Sequence, residues 1–185
     1  VVESLFDDLV LDPSSPVFVP VRSNVDLRYA GVLCRCGDSR FQVQGWPRLA
    51  LGRGGFFWRS VTRVWREARL PIEHGEPTES PFLPPLFVRC MGCGHDAAVL
   101  DDPRVRDAMP STARGEPKES LRCRSCRRGR FFLSAGFAED PADVNRLDIE
   151  IVARCVACAG EGRIAWSHAR PSEQEVRLDL LYGRR

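Results

Sequence analysis

The stretch VLCRCGDSRF, residues 32–41, sets Cys34 and Cys36 one residue apart, follows them with Gly37, and runs into a segment that reads as a β-strand. The device recurs along the chain. Eight cysteines fall into four tight pairs, Cys34/Cys36, Cys90/Cys93, Cys123/Cys126 and Cys155/Cys158, with none left over. A secreted disulfide framework scatters its cysteines through a shorter, loop-rich chain. The pairs read instead as zinc knuckles, because a tetrahedral ion needs thiolates at about 2.3 Å and a tight turn delivers two of them from one side. Small residues after the second cysteine, as in CMGCGH (90–95) and CVACAG (155–160), let backbone amides turn toward the sulfurs and offset their charge.

Spacing alone does not say which pairs share an ion, since the gaps 94–122 and 127–154 are nearly equal. Their content does. RFFLSAGF (130–137) leaves the third pair and RLDIEIVAR (146–154) returns to the fourth, separated by the turn-rich AEDPADVN. RFQVQGW (40–46) and PLFVR (85–89) stand in the same relation to the first two pairs. The middle gap holds a short apolar piece and then a Pro/Ser/Gly/charge-rich linker. Two sites follow, Cys34, Cys36, Cys90 and Cys93 on one zinc and Cys123, Cys126, Cys155 and Cys158 on the other. The segments LCRCGDSRFQVQGW and LRCRSCRRGRFFLSAGF also run parallel, as an internal repeat or as convergence of strand-plus-knuckle patterns.

The expected fold is mainly β: two successive zinc-clamped β units of β-tent or zinc-ribbon type, over residues 1–107 and 120–185, with a linker at 108–119. One amphipathic helix is expected near residues 56–69, where Phe57, Val61, Val64, Trp65 and Ala68 fall on one face and Arg59, Arg63 and Arg66 lie opposite, ended by Pro71. NVDLRYAGVL (24–33) and EVRLDLLYG (175–183) alternate as strands. PIEHGEPTESPFLPP (71–85) reads as an extended connection whose prolines suit a strand interior poorly.

Composition narrows the function. The 185 residues are 43% hydrophobic and 28% charged with a net charge of +2, which argues against a general polyanion-coating protein. No apolar run of about 18 residues is present and no basic-then-apolar leader opens the sequence, so no membrane partner and a cytoplasmic location are expected.

The residues GVLCRCGDSRFQVQG (31–45) and FVRCMGCGHDAAVL (87–100), with the gap between them, resemble the zinc-clamped β-tent superfamily. That group includes the glutathione-dependent formaldehyde-activating enzymes, the Yippee-like proteins and the methionine-R-sulfoxide reductases. The resemblance covers residues 28–102 and implies a β fold with a structural zinc. The second half looks more like a plain zinc ribbon. The formaldehyde-activating enzymes carry a further CxCxxC cluster between the structural pairs, and residues 37–89 contain no cysteine. Sulfoxide reductases need a reactive cysteine beyond the ligands, and none is spare. What the resemblance implies is therefore a fold and not an activity.

A filled four-cysteine site leaves no open position for water or substrate, so a non-catalytic module with two structural Zn2+ is expected. His74, His95 and His168 sit in no recognisable motif, and His95 is placed to act as an alternative ligand or beside the site. Arg122, Arg124, Arg127, Arg128 and Arg130 crowd the third pair directly before Phe131, a pattern that points to nucleic acid: guanidinium groups hold phosphates and an aromatic ring stacks a base. Two alternatives stand beside it. A protein-interaction module would use Trp58 and Trp65 as anchors. A small-ligand pocket would draw on Trp46, Trp58, Trp65 and Trp166.

Overall fold

A computed structural model describes residues 6, 8–13, 27–47, 69–70, 82–100, 119–140 and 143–169. Among them the named elements are all strands: β1 (Leu9–Asp12), β2 (Arg28–Cys34), β3 (Arg40–Pro47), β4 (Arg69–Leu70), β5 (Phe82–Cys90), β6 (Asp96–Val99), β7 (Glu119–Ser120), β8 (Arg122–Cys123), β9 (Phe131–Asp140), β10 (Asp143–Cys155) and β11 (Glu161–Ala169). The stretch expected to be helical lies outside the described residues apart from Arg69, which belongs to β4 and pairs in parallel with β8. The strand expected over 175–183 and linker residues 108–118 also lie outside them. No helix among the described residues is long and apolar enough to cross a membrane.

The two cysteine-paired hairpins form as their sequences direct. β3 pairs antiparallel with β5, and β9 with β10, so each strand leaving one knuckle is met by a strand returning to the next. Pro84 and Pro85 depart from the expected connection and stand within β5. They fall where the register shifts between Gln44 and Trp46, so the prolines occupy a bulge and displace no regular ladder bond.

Strands from both halves of the chain join one nine-stranded sheet with the path β1-β2-β9-β3-β5-β6; β10 and β11 continue from the other edge of β9, and β7 adds to β3. The junction is short. Arg40 and Phe41 of β3 pair with Phe132 and Phe131 of β9, after which β9 turns to pair with β2 through Ser134–Phe137. β11 returns against β5 without pairing to it, which leaves the sheet nearly closed around its apolar face.

That face follows from the two-residue period of a strand. Ala30, Val32 and Cys34 on β2, Leu86, Val88 and Cys90 on β5, and Ile149, Ile151, Ala153 and Cys155 on β10 are all buried. Phe41, Val43, Phe131, Leu133, Ala135 and Phe137 belong to the same cluster, and burying each large side chain contributes about 1.5–3 kcal/mol. Phe6 bridges to Val99 and sets its ring 6.3 Å from that of Phe137, so the N-terminal segment covers one end of the core. A bulge opposite Ile151 and Val152 lets Ile164 and Ala165 both face inward, and Trp166 is turned out.

The opposite face carries a polar crossing. Tyr29, Gly136 and Glu150 are cross-strand neighbours, and the Tyr29 hydroxyl donates to Glu150 Oε1 at 2.5 Å by laying its ring over Gly136. A Cβ at position 136 would stand 2.6 Å from Tyr29 Cε1. Gly136→Ala is expected to lower stability by about 1–3 kcal/mol through overpacking. Denaturant unfolding measures it, and adding Tyr29→Ala recovers part of the loss if the ring is the obstacle.

Candidate metal centres

Each knuckle begins where a core-facing strand position runs off the end of the sheet. The first cysteine of each pair keeps the buried register of its strand, and the second, past the turn, reaches the surface. Cys34, Cys90, Cys123 and Cys155 are accordingly buried, Cys36, Cys93 and Cys158 exposed, and Cys126 between.

The three CxxC knuckles share one backbone pattern. The amides of Cys90, Cys123 and Cys155 donate to the carbonyls of His95, Arg128 and Gly160, and the amides of Gly94, Arg127 and Ala159 donate back to those cysteines. The CxC knuckle is the same turn shortened by one residue, with Cys34 N donating to Asp38 O and Gly37 N to Cys34 O. Closing the turn takes a left-handed residue after the second cysteine: φ is 86° at Gly37, 76° at Gly94, 62° at Arg127 and 57° at Ala159. Glycine adopts this without cost, whereas Arg127 and Ala159 hold their Cβ against the backbone.

The four turns bring the thiols together as two groups, Cys34, Cys36, Cys90 and Cys93, and Cys123, Cys126, Cys155 and Cys158, with the sulfurs of each within 4.8 Å of one another. This is the grouping that the content of the gaps predicts. The closest contacts are Cys34–Cys93 at 3.6 Å and Cys36–Cys90 at 3.5 Å in the first, and Cys123–Cys158 at 3.4 Å and Cys126–Cys155 at 3.5 Å in the second. These separations are far beyond a disulfide bond. They lie near the edge of about 3.8 Å that a tetrahedron of sulfurs has around an ion at about 2.3 Å. Both groups can hold a metal ion.

Burial pushes the Cys34 thiol up to about 12 and does the same to Cys155, so without a cation both stay protonated and neutral. Cys126 moves the other way, to about 7, because the Arg128 amide points at its sulfur. An amide also faces the first site, with Gly92 N 3.4 Å from Cys90 Sγ.

The surroundings of the two centres differ in charge. Around the first, Arg35, Arg40 and His95 meet acids, while Arg89, whose Nη2 lies near Gly94, has no carboxylate partner among the described residues. Arg40 clasps Asp38 with Nε at 3.0 Å and Nη2 at 2.8 Å, which lowers the Asp38 pKa, and Arg35 meets Asp8 at 2.8 Å. His95 is outside the ligand group and faces the same Asp8 at 3.7 Å.

Around the second, Arg122, Arg124, Arg127, Arg128 and Arg130 are all exposed. Arg122, Arg124, Arg128 and Arg130 have no carboxylate partner among the described residues. Arg122, Arg127, Arg128 and Arg130 line a half-open cleft of about 740 Å³, and Arg124 is not part of its lining. Val156 and Ala157 of the fourth knuckle, Cys126 and Gly129 of the third, and Gln42 of β3 complete that lining. Gln42 was not legible as a neighbour of the arginine cluster, since it comes from a distant part of the chain, whereas the grouping of the third and fourth pairs already brings Val156 beside that knuckle.

Phe131 is completely buried and offers no face to a base; its position in β9 continues the core register, and Phe132 is half-buried on the other side. Trp58 and Trp65 lie outside the described residues. Trp166 is 37% exposed on β11. No protein-family model, curated protein or solved structure matches the chain.

Two outcomes follow from these knuckles. Ala159→Gly is expected to stabilise the protein by about 0.5–1 kcal/mol, the relief of the left-handed Cβ less the added chain entropy, read as a shift of the denaturation midpoint. The pH response should reverse with metal. In the stripped protein Cys34 and Cys155, raised from 9.0 to about 12, stabilise fully below pH 9 and lose that contribution as pH rises toward 12, while Cys126 acts oppositely between 9 and about 7. The loaded protein loses stability as pH falls, because protons displace the ion from sulfur. Unfolding midpoints against pH, with and without chelator, measure both slopes.

Proposed function

We propose that this protein is a non-catalytic module with two structural zinc ions that binds nucleic acid through the basic knuckle of the second centre. Zinc is favoured by four soft thiolates in tetrahedral reach, a donor set that it shares chiefly with iron. A filled four-thiolate shell has no position for substrate, which supports a structural role for both ions.

The observation that carries the binding reading is the charge contrast between the two centres. Both would hold the same formally dianionic metal–thiolate group, yet four exposed arginines at the second, Arg122, Arg124, Arg128 and Arg130, have no carboxylate partner among the described residues, against one, Arg89, beside the first. Neutralising the thiolates therefore does not account for the cluster. Four arginines lining one cleft suit a run of phosphates, each able to accept paired N–H bonds. Base stacking by Phe131 forms no part of this reading, since its ring belongs to the core.

Elemental analysis should give two zinc ions per chain, and iron in their place would overturn the assignment. Replacing Arg127 and Arg128 together by Ala should weaken binding of a labelled oligonucleotide by about 10-fold or more and reduce the salt slope by about 1–2. Fluorescence anisotropy across a salt series measures both. Unchanged affinity and slope would remove nucleic acid as the ligand of this knuckle.

A further inference from the structure

The lining of the cleft beside the second centre is of two chemistries, and a polyanion alone would need only one of them. The arginines come from residues 122–130. The apolar part is Val156 and Ala157 at the tip of the fourth knuckle, where Val156 stands 38% exposed. The two parts are fixed to one another, because Val156 N donates to Arg130 O at 3.1 Å and the second cysteine group takes two sulfurs from each knuckle. Gln42 adds a carboxamide with no hydrogen-bond partner among the described residues.

We infer that the cleft takes a nucleotide of a single strand, its phosphate on the arginines and its base against Val156 and Ala157 with Gln42 at the base edge. This rests on the nucleic-acid reading above and goes beyond it in choosing the form of the ligand. A phosphate-binding surface indifferent to bases would accept a duplex, whose phosphates line the outside of a convex cylinder. A half-open cleft of about 740 Å³ is within the range of about 300–1,000 Å³ that admits small ligands, and a base that is paired and stacked inside a duplex is not free to enter it. A single strand can, because its bases are unpaired and its backbone bends. Base faces are apolar and suit Val156 and Ala157, while the edge needs a donor and an acceptor, both of which a carboxamide supplies.

Labelled oligonucleotides of about 12 nucleotides, matching the usual span of a strand-binding site, would be compared as single-stranded DNA, single-stranded RNA and duplex DNA of the same sequence. The single strands should bind about 10-fold or more tightly than the duplex. Gln42→Ala and Val156→Gln should each weaken single-strand binding by about 3- to 10-fold while leaving duplex binding and the salt slope unchanged, with two ions per chain retained as the check on folding. A preference for RNA over DNA would place a ribose hydroxyl in the cleft, and equal affinity for the two would leave the base as the feature read; either supports the inference.

Equal, arginine-dependent binding of single strand and duplex would overturn the inference and keep the broader reading. Variants at Gln42 and Val156 that weaken duplex and single strand alike would do the same. No salt-dependent binding of any oligonucleotide would end both.

Discussion

A buried thiolate is tolerable only where a cation shares its charge, and four of the eight cysteines are buried at the ends of core strands. The rest of the structure depends on how that requirement is met. Because Cys34, Cys90 and Cys155 stand in the inward register of β2, β5 and β10, each hydrophobic run that builds the core also aims a sulfur at a common point. Core and metal centre are consequences of the same two-residue period. The outward step to Cys36, Cys93 and Cys158 then supplies the remaining ligands from the surface side of each turn.

The register carries the coupling further. Cys90 lies opposite Phe41, Phe41 opposite Phe131, and Phe131 opposite Cys155. One row across β5, β3, β9 and β10 therefore runs from a ligand of the first centre, through two fully buried rings, to a ligand of the second. Along the sheet the span is three strand spacings, roughly 14 Å. The short β3–β9 junction is where the halves of the chain become one sheet, and each centre braces one side of it. Further bonds cross the same region: Met91 N to Arg40 O at 2.9 Å, Leu121 N to Val43 O at 2.8 Å, and Val156 N to Arg130 O at 3.1 Å.

Similar turns have been given different surfaces. At the first centre Asp38 folds back on Arg40 and lies so close to Gly92 that a Cβ there would meet its Oδ2 at 2.7 Å, so the two knuckles are packed against each other by an acid. At the second, arginine occupies even the left-handed position that glycine fills in both knuckles of the first. Holding Arg127 there is unfavourable for the backbone, and the residue lines the cleft together with Arg122, Arg128 and Arg130.

The sequence alone determined the turns and the two cysteine groupings, because a knuckle is local and a strand that leaves one cysteine pair must return to the next. It also determined the hairpins β3–β5 and β9–β10, whose alternation is plain in RFQVQGW and RLDIEIVAR. Tertiary structure decided what the pattern of one strand does not contain. Alternation shows that a strand has an inner face, but not which distant strand lies beside it, so the β3–β9 junction left no trace in either segment. Phe131 shows the same limit: beside five arginines it reads as surface, and its register with Phe41 and Cys155 places it in the core. The cleft is likewise a tertiary product: its arginines lie within residues 122–130, while Val156 and Ala157 reach it through the grouping of the cysteines and Gln42 through strand pairing.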